Sequence, residues 1–412
     1  MRFDELGLND KILEAISYMD YEKASEIQEL TIPAILDGKD ILACAQTGTG
    51  KTAAFMLPIL DHLSYEENND LNTLIIVPTR ELAIQINQQI QGFSYFLNIN
   101  SVTVYGGRDG SDWDAESKAL TSGTNIVVAT PGKLISHLNL GYVKFDKLKH
   151  LVLDEADRML DIGFYDDILR ILSYVPEDRQ TLMFSATMPQ KIRDLASKIL
   201  KNPVEFSTAI SKPAEGVLQA AYVVYENQKI PVINSLISNK PDLDSILVFS
   251  STKRKVNDIV KSLKRAGNAV EGISSDLEQK EREDVLMRFR SRRTRVLVAT
   301  DVLSRGIDIK DINLIINFDV PGSAEDYVHR VGRTARADKT GIAISLINEM
   351  DMDKFDRIEK LIEQEVLKIP VPPEMGDGPV YKVRPQRKGG RPNGRRKFNN
   401  GGKPRPGNSN PS

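Results

Sequence analysis

Residues 45–52, AQTGTGKT, carry the clearest chemistry in this 412-residue chain. Gly48 and Gly50 would let backbone N–H groups approach phosphate oxygens, and the helical apolar spacing that follows would place the positive end of a helix at the same point. Lys51 would reach the β- and γ-phosphates, and Thr52 would hold Mg²⁺. A plain glycine turn before a helix does not require Lys-Thr. The pattern therefore predicts a nucleoside triphosphate site.

Two carboxylates, Asp154 and Glu155, follow the apolar run LVL. Because a buried unpaired charge is costly, neither residue suits a place in the core. Next to a phosphate site, Asp154 would hold Mg²⁺ and Glu155 would activate water. Taken alone, the pair is equally well explained as a helix N-cap. The phosphate loop favours the catalytic interpretation.

Short β-branched runs alternate with helical stretches and predict the elements that carry these residues. The runs are nearly continuous in apolar residues, as expected of parallel strands covered on both faces, and their alternation with helices indicates a doubly wound α/β fold. Crossovers of one hand would bring the loops after the strands to one edge of each sheet. The predicted strands are 40–45, 73–78, 125–130, 150–155 and 181–187, followed by 245–251, 295–300, 314–319 and 341–347.

The two strand series predict two domains, as the length also suggests. Two prolines and a glycine lie between the series, and we place a linker there at 209–217, although an ordinary surface loop would look similar. The domains then cover 1–208 and 218–370. Residues 371–412 are rich in Gly, Pro, Arg and Asn with almost no apolar side chains, which predicts a disordered basic tail.

The net charge of −2 hides an asymmetry between body and tail. Residues 381–412 hold ten Lys or Arg and no Asp or Glu, so residues 1–380 hold 45 basic against 57 acidic side chains. A basic tail on an acidic body favours a polyanionic partner such as nucleic acid, although a solubilising segment would have the same composition. One cysteine, no apolar leader and no apolar run of about 20 residues predict a cytoplasmic protein.

Many short motifs in a fixed order resemble the DEAD-box RNA helicases over residues 1 to about 370. The first half carries AQTGTGKT, PTRELA, a Gly-Gly pair, TPGK, DEAD and SAT, and the second half carries VFSST, a Gln-x-x-Arg pair, TDVLSRGID and HRVGRTAR. Each motif is weak alone, but their joint occurrence in order is specific. The resemblance implies two tandem RecA-like domains, each a doubly wound parallel sheet, with ATP and Mg²⁺ in the cleft between them.

The resemblance also assigns the ATP contacts. Tyr21 would stack on adenine, Gln28 would hydrogen-bond its edge and Ser25 would support the loop, although ASEIQ lacks the two prolines of the usual form. Core packing is the alternative for Tyr21 and Phe3. The other ATP contacts would be Ala45, Gln46, Thr47, Gly48, Thr49, Gly50, Lys51, Thr52 and, from the second domain, Asp308.

HRVGRTAR holds four cations within eight positions, which alone would suit an exposed helix face. By resemblance, Arg333 and Arg336 are arginine fingers that complete a catalytic set with Lys51 and Glu155, and a guanidinium suits this task because it keeps its charge. Turn chemistry at a strand end is the alternative for the SAT motif. The residues that would couple the ATP and RNA sites are Asp157, Ser185, Thr187 and His329.

The RNA contacts implied by the resemblance are small, hydroxyl-bearing or backbone-exposing positions, which suit gripping phosphates and 2′-hydroxyls without reading bases. Lys133 replaces the common Arg, so one bidentate contact becomes a point-charge contact. No function is assigned to Trp113. The nominated residues are Pro78, Thr79, Arg80, Gly107, Thr130, Gly132 and Lys133 in the first domain and Arg282, Thr300, Asp301 and Gly306 in the second.

The expected function is RNA-stimulated ATP hydrolysis coupled to local, non-processive RNA unwinding or RNP remodelling. A DNA helicase is one alternative, against which DEAD and Gln28 argue, and an ATP-gated RNA clamp with incidental unwinding is another. We expect a monomer that binds RNA irrespective of sequence and no membrane, with ribosome- or RNA-decay-associated proteins as candidate partners. The length and short basic tail resemble the RhlE-like bacterial subgroup.

Overall fold

A computed structural model describes residues 1–19, 21–46, 48–66, 70–106, 111–121, 123–208, 217–238, 240, 242–274, 276–300, 312–334 and 341–383. Within these residues, two parallel sheets of seven strands form, each flanked by helices. No helix in this part of the chain is both long and apolar enough to cross a bilayer.

The first sheet has its apolar central strands buried along their whole length, which explains why they lack polar alternation. Its strands are β1 (Ile41–Cys44), β2 (Thr73–Ile76), β3 (Ser101–Val104), β4 (Ile126–Ala129), β5 (His150–Leu153), β6 (Gln180–Ser185) and β7 (Val204–Ser207). Its helices are α1 (Asp10–Ser17), α2 (Glu26–Leu36), α3 (Lys51–Ser64), α4 (Arg80–Phe93), α5 (Ser111–Thr121), α6 (Pro131–Leu138), α7 (Ala156–Ile162), α8 (Tyr165–Leu172) and α9 (Gln190–Ile199). A 3₁₀ turn, Phe3–Glu5, precedes them.

The second sheet is built in the same way, with buried central strands between two helical layers. Its strands are β8 (Val217–Val223), β9 (Ile246–Ser250), β10 (Val270–Ile273), β11 (Val296–Thr300), β12 (Leu314–Asn317), β13 (Gly341–Ile347) and β14 (Leu367–Ile369). Its helices are α10 (Lys229–Ile237), α11 (Lys253–Arg265), α12 (Gln279–Arg290), α13 (Ala324–Val331) and α14 (Met352–Ile362). Two 3₁₀ turns, Glu226–Gln228 and Pro373–Met375, accompany them.

Both sheets have one topology. The first has the order β3-β4-β2-β5-β6-β1-β7 and the second β10-β11-β9-β12-β13-β8-β14, so each strand is replaced by the one seven places later in the chain. Every strand pair is parallel, which brings the loops after the strands to a single edge of each sheet. The predicted fold class, two tandem RecA-like domains, is confirmed.

The structure differs from the sequence prediction at two boundaries. Val217, which we placed in the linker, is the first residue of β8. Residues 371–383, which we placed in the tail, pack against the second domain: the Tyr381 hydroxyl donates to Glu359 at 3.1 Å. Gly378 lies close to the end of β8: a Cβ added at Gly378 would be 2.1 Å from the carbonyl oxygen of Val223, the last residue of that strand. Residues 209–216 and 384–412 lie outside the described residues.

A fully buried cation begins α10. The ammonium of Lys229 lies 3.1 Å from Glu226, 3.3 Å from Asp319 and 3.9 Å from Asp351. Burial acts to raise the pKa of Asp319, but hydrogen bonds from Lys255 and the backbone, together with the charge of Lys229, outweigh it and hold that pKa well below its usual range. Lys229 occupies the place of Lys51, because each begins the helix after the corresponding strand, β8 or β1.

Replacing Lys229 with Met should destabilise the second domain by about 3 kcal/mol or more, because the carboxylates around it would lose their buried counter-ion. Amide exchange of peptides from 217–383 in increasing urea would measure this for one domain alone. Lys360→Met is the control, since Lys360 pairs with Asp356 at the surface and such pairs contribute less than about 1 kcal/mol. Equal, small losses of unfolding free energy in both variants would contradict the assignment of Lys229 as a buried counter-ion.

Candidate nucleotide and nucleic-acid site

The loop between β1 and α3 is shaped by two glycines in the left-handed region. Gly48 has φ 90° and Gly50 has φ 88°, values that residues with a Cβ rarely adopt. Lys51 begins α3 and is buried, and its ammonium donates to the carbonyl of Ala45 at 3.0 Å. The loop therefore curves around its own lysine, and the following residue, Thr52, lies in the first turn of the helix.

The N-terminal motif is tied to this loop by two side chains. The Ser25 hydroxyl donates to the carbonyl of Thr49 at 2.7 Å, and the Gln28 amide donates to that of Gly50 at 3.0 Å. Gln28 also accepts from the backbone N–H of Ser25 at 2.8 Å, which caps α2. The structure thus places Ser25 and Gln28 against the phosphate loop, and the contact of Gln28 with a base edge stays a prediction.

Tyr21 lies beside this motif and is partly buried. Its ring centroid is 5.8 Å from that of Phe3 and 5.7 Å from that of Phe93, in tilted and edge-on arrangements. Burial raises the pKa of its hydroxyl. These contacts fix one side of the ring in the core, and stacking of adenine on Tyr21 stays a prediction.

Asp154 and Glu155 follow β5, on the same edge as the phosphate loop. Burial raises the pKa of the Asp154 carboxyl to about 6, against the opposing charge of Lys51. Glu155 has a left-handed backbone with φ 51°, and its carboxylate accepts from the guanidinium of Arg158 at 3.1 Å. Both partners of this pair are buried. Sequence reasoning missed Arg158, for which the one available signal was its i+3 spacing from Glu155 on a helix.

Three of the four predicted coupling residues form one hydrogen-bond network. The carboxylate of Asp157 accepts from the backbone N–H of Thr187 at 2.9 Å and from its hydroxyl at 2.8 Å. The Ser185 hydroxyl accepts from the N–H of Asp157 at 3.3 Å and donates to the carbonyl of Thr187 at 2.7 Å. The network joins the end of β6 to the start of α7, so a displacement of one element would displace the other.

A cleft of about 620 Å³ lies between the two domains. Glu155, Asp157 and Thr187 line it from the first domain, and His329 and Arg333 line it from the second. The structure therefore brings a predicted arginine finger and the predicted water-activating carboxylate into one space.

Arg330, another cation of HRVGRTAR, is turned into the second domain. Its guanidinium donates to the side chain of Asn317 at 3.0 Å and to the carbonyl of Asp319 at 2.8 Å. It also lies over the ring of Phe249, 4.9 Å from the centroid. The motif is thus not a uniformly exposed basic face: Arg330 supports the domain, whereas Arg333 lines the cleft.

The predicted RNA residues of the first domain follow β2 and β4, two neighbouring strands on the side of the sheet away from β1. Thr79 caps α4 by accepting from Leu82 at 3.3 Å, and Thr130 stands at the N-cap of α6. The neighbouring Pro78 is buried, Arg80 begins α4, and Gly132 has open space around its Cα. Lys133 is engaged by a carboxylate within the protein, that of Glu116 at 3.0 Å.

In the second domain, Thr300 ends β11 and Arg282 lies in α12, where its guanidinium donates to the carbonyl of Leu277 at 3.0 Å. The positions of the remaining predicted contacts fall outside the described residues: Thr47, Gly107, Asp301, Gly306, Asp308 and Arg336.

Two parallel-sheet domains, a glycine loop around a buried lysine, and a cleft in which Arg333 lies opposite Glu155 are the features of a two-domain, triphosphate-driven helicase. Two family models agree: DEAD/DEAH box helicase matches residues 25–195 and Helicase conserved C-terminal domain matches residues 228–338. The ATP-dependent RNA helicase CshA of Listeria monocytogenes is 41% identical over 373 residues, which cover 90% of this chain and 71% of that protein. The chain belongs to the DEAD-box ATP-dependent RNA helicases.

Solved structures show the same relationship. Saccharomyces cerevisiae Dbp5 bound to RNA and ADP BeF3 is 31% identical, with a TM-score of 0.80 over 90% of this chain and 95% of that chain. A DEAD box protein from the hyperthermophile Methanococcus jannaschii is 39% identical, with a TM-score of 0.53 over 90% of this chain and 99% of that chain. The predicted family is confirmed, and placement in the RhlE-like subgroup stays a prediction.

Gly50→Ala should weaken ATP binding at least about tenfold, because a Cβ would lie 2.3 Å from the Gln28 amide on a backbone with φ 88°. Titration with a fluorescent ATP analogue would measure the affinity. Gly38→Ala is the matched control, since Gly38 also has positive φ, at 73°, but nothing lies within 4 Å of its added Cβ. ATP affinity that falls equally in both variants would show that backbone strain alone is responsible.

Proposed function

We propose that this helicase hydrolyses ATP when RNA holds its two domains together, and that each cycle separates a short stretch of RNA duplex locally. The observation that carries the proposal is that Glu155 and Arg333 come from different domains and line one cleft. Neither domain alone holds both the water-activating carboxylate and the arginine finger. A ligand that binds across both domains would therefore stimulate turnover by favouring the closed arrangement.

Within that site, each residue has a distinct role. Lys51 binds the β- and γ-phosphates, Glu155 orients and deprotonates the attacking water, and Arg158 holds the Glu155 carboxylate in place. Thr52 and Asp154 provide hydroxyl and carboxylate oxygens, the donor type that Mg²⁺ prefers, and fit that ion because it takes its other ligands from phosphates and water. When bound, Mg²⁺ neutralises phosphate charge. Arg333, with Arg336 beside it in the sequence motif, stabilises the charge that develops on the γ-phosphate.

Adenine recognition is tied to the phosphate loop through the side chains at its back. We assign Tyr21 and Gln28 to the base and Ser25 to the loop; the hydrogen bonds of Ser25 to Thr49 and of Gln28 to Gly50 are already made. A base that repositions Gln28 would thus act directly on the backbone that cradles the phosphates. This link supports a preference for ATP over other triphosphates.

RNA is gripped along the row of strand ends occupied by Thr79 and Thr130 in the first domain and Thr300 in the second. Hydroxyls and backbone groups there suit phosphates and 2′-hydroxyls, which supports binding irrespective of sequence. The higher TM-score to the RNA-bound structure than to a relative of higher identity supports a domain arrangement similar to the RNA-bound one. The domain limits other than those at Val217 and residues 371–383, a monomeric state, a cytoplasmic location and ribosome- or RNA-decay-associated partners stay predictions.

Glu155→Gln should lower RNA-stimulated ATP turnover by about a hundredfold or more, because the amide cannot accept the proton of the attacking water. Binding of ATP and RNA should persist, since the side chain keeps its size. Turnover would be followed by phosphate release, and binding by anisotropy of labelled ATP analogue and RNA. Glu205→Gln, at a surface pair with Arg193, is the control for loss of one charge. Undiminished turnover in Glu155→Gln would remove Glu155 from its role.

Truncation after Val383 should weaken RNA binding without abolishing RNA-stimulated turnover. This limit is preferable to one at Val380, because Tyr381 packs in the second domain. The removed segment holds nine Lys or Arg; if about half of them engage phosphates, the log–log dependence of affinity on salt should become shallower by roughly 3. Anisotropy titrations at several salt concentrations would give the slopes. An unchanged slope would show that the tail does not contact RNA.

A further inference from the structure

Lys133 is held by a cluster of side chains from α5 and α6. Its ammonium lies 3.0 Å from the carboxylate of Glu116 and 4.4 Å from the ring centroid of Trp113. Glu116 also accepts from His137 Nε2 at 3.1 Å, and the His137 ring stacks on Trp113 with centroids 3.9 Å apart. Glu116 is 2% exposed, so this carboxylate belongs to the interior and depends on these two partners.

Lys133 is the cationic partner of Glu116 in this cluster. Burial lowers the pKa of His137 below its ordinary value, although its hydrogen bond to Glu116 opposes the shift. His137 is therefore neutral at pH 7; it donates from Nε2 to Glu116 and accepts at Nδ1 from the Tyr142 hydroxyl. The charge of Glu116 is then balanced by Lys133, which is itself largely covered, with 15% of its side chain exposed.

The position of Lys133 on its helix makes the arrangement informative. Lys133 is the third residue of α6, where a cation opposes the helix dipole and an RNA phosphate would be favoured. Thr130 and Gly132, which we assign to RNA, belong to the same turn. The sequence motif thus predicts that Lys133 contacts RNA, whereas in the structure Lys133 is paired with the buried carboxylate of Glu116.

We propose that Glu116 is an internal counter-ion that withholds Lys133 from RNA and thereby sets the RNA affinity of this helicase below the value its motif would allow. The proposal rests on the proposed RNA-binding face. For Lys133 to bind a phosphate, it must leave a buried carboxylate without a counter-ion, which is strongly unfavourable. In the wild-type protein the phosphate nearest this helix is therefore bound by hydroxyl and backbone groups, and Lys133 adds no ionic contact.

Glu116→Gln should release Lys133, because the amide keeps the volume and the hydrogen-bonding oxygen but carries no charge. The released ammonium would add one phosphate contact. The log–log salt dependence of RNA affinity should then become steeper by about 0.7, with binding tighter by about tenfold near 50 mM salt and about fourfold near 200 mM. Anisotropy of a labelled single-stranded oligouridine, with the full chain, Mg²⁺ and a non-hydrolysable ATP analogue, would measure both quantities.

Two further variants separate the proposal from its alternatives. In Glu116→Gln/Lys133→Met the extra contact is absent, so slope and affinity should return to wild-type values. Glu66→Gln, which removes the same charge from a pair with Lys149 at the opposite edge of the sheet, should leave both unchanged. Trp113, the single tryptophan of the chain, reports through its emission whether the cluster stays packed.

Unchanged salt dependence and affinity in Glu116→Gln, with wild-type Trp113 emission, would overturn the proposal. Weaker RNA binding in this variant would also overturn it, because it would mean that Glu116 positions Lys133 for RNA. An equal gain in RNA affinity in Glu66→Gln would also overturn the proposal, since the change in net charge alone would then be responsible. Failure of the proposed RNA-binding face would look different. Thr79→Ala and Thr130→Ala would then bind RNA with the same affinity and the same salt dependence as the wild-type protein.

Discussion

Charged side chains are buried or half-buried at the carboxyl edge of the first sheet, and they can remain there because they have fixed partners within the protein. Lys51 is satisfied by a carbonyl of its own loop, Glu155 by Arg158, and Asp157 by the SAT motif. The cost of leaving such a group unpaired is several kcal/mol, so these contacts are part of the fold as much as of the site. We therefore expect substrate binding to exchange some of these partners.

The sequence predicted the central strands well and the peripheral ones poorly. All nine predicted strands are present, and each is almost entirely buried on both faces, so its sequence is nearly continuous in apolar residues. The strands β3, β7, β10 and β14 at the sheet edges, together with β8, were missed because they are partly exposed and mix polar with apolar residues, as in VEFS and VEGI. The doubly wound topology could still be inferred, since the strands that define it were recognised.

For the site, sequence motifs located side chains at strand ends but not their partners. Parallel topology alone brings Lys51, Asp154 and Ser185 together, because β1, β6 and β5 are neighbours. The pairing of Lys133 with Glu116 spans a strand and two helices, and no spacing rule connects those positions. The same order divides the edge into two: strands β1, β6 and β5 carry the residues predicted to bind nucleotide, and β2, β4 and β3 carry those predicted to bind RNA. The boundary between β5 and β2 is where the two meet.

The repeated topology gives the buried cation Lys229 a meaning beyond stability. In the second sheet it stands where Lys51 stands in the first, but Glu226, Asp319 and Asp351 surround it instead of a glycine loop. The place that would hold polyphosphate is thus filled by the protein's own carboxylates, whose like charge would repel one. From a chain built of two copies of a nucleotide-binding architecture we therefore expect a stoichiometry of one triphosphate, with each turnover a single closing and opening of the two domains.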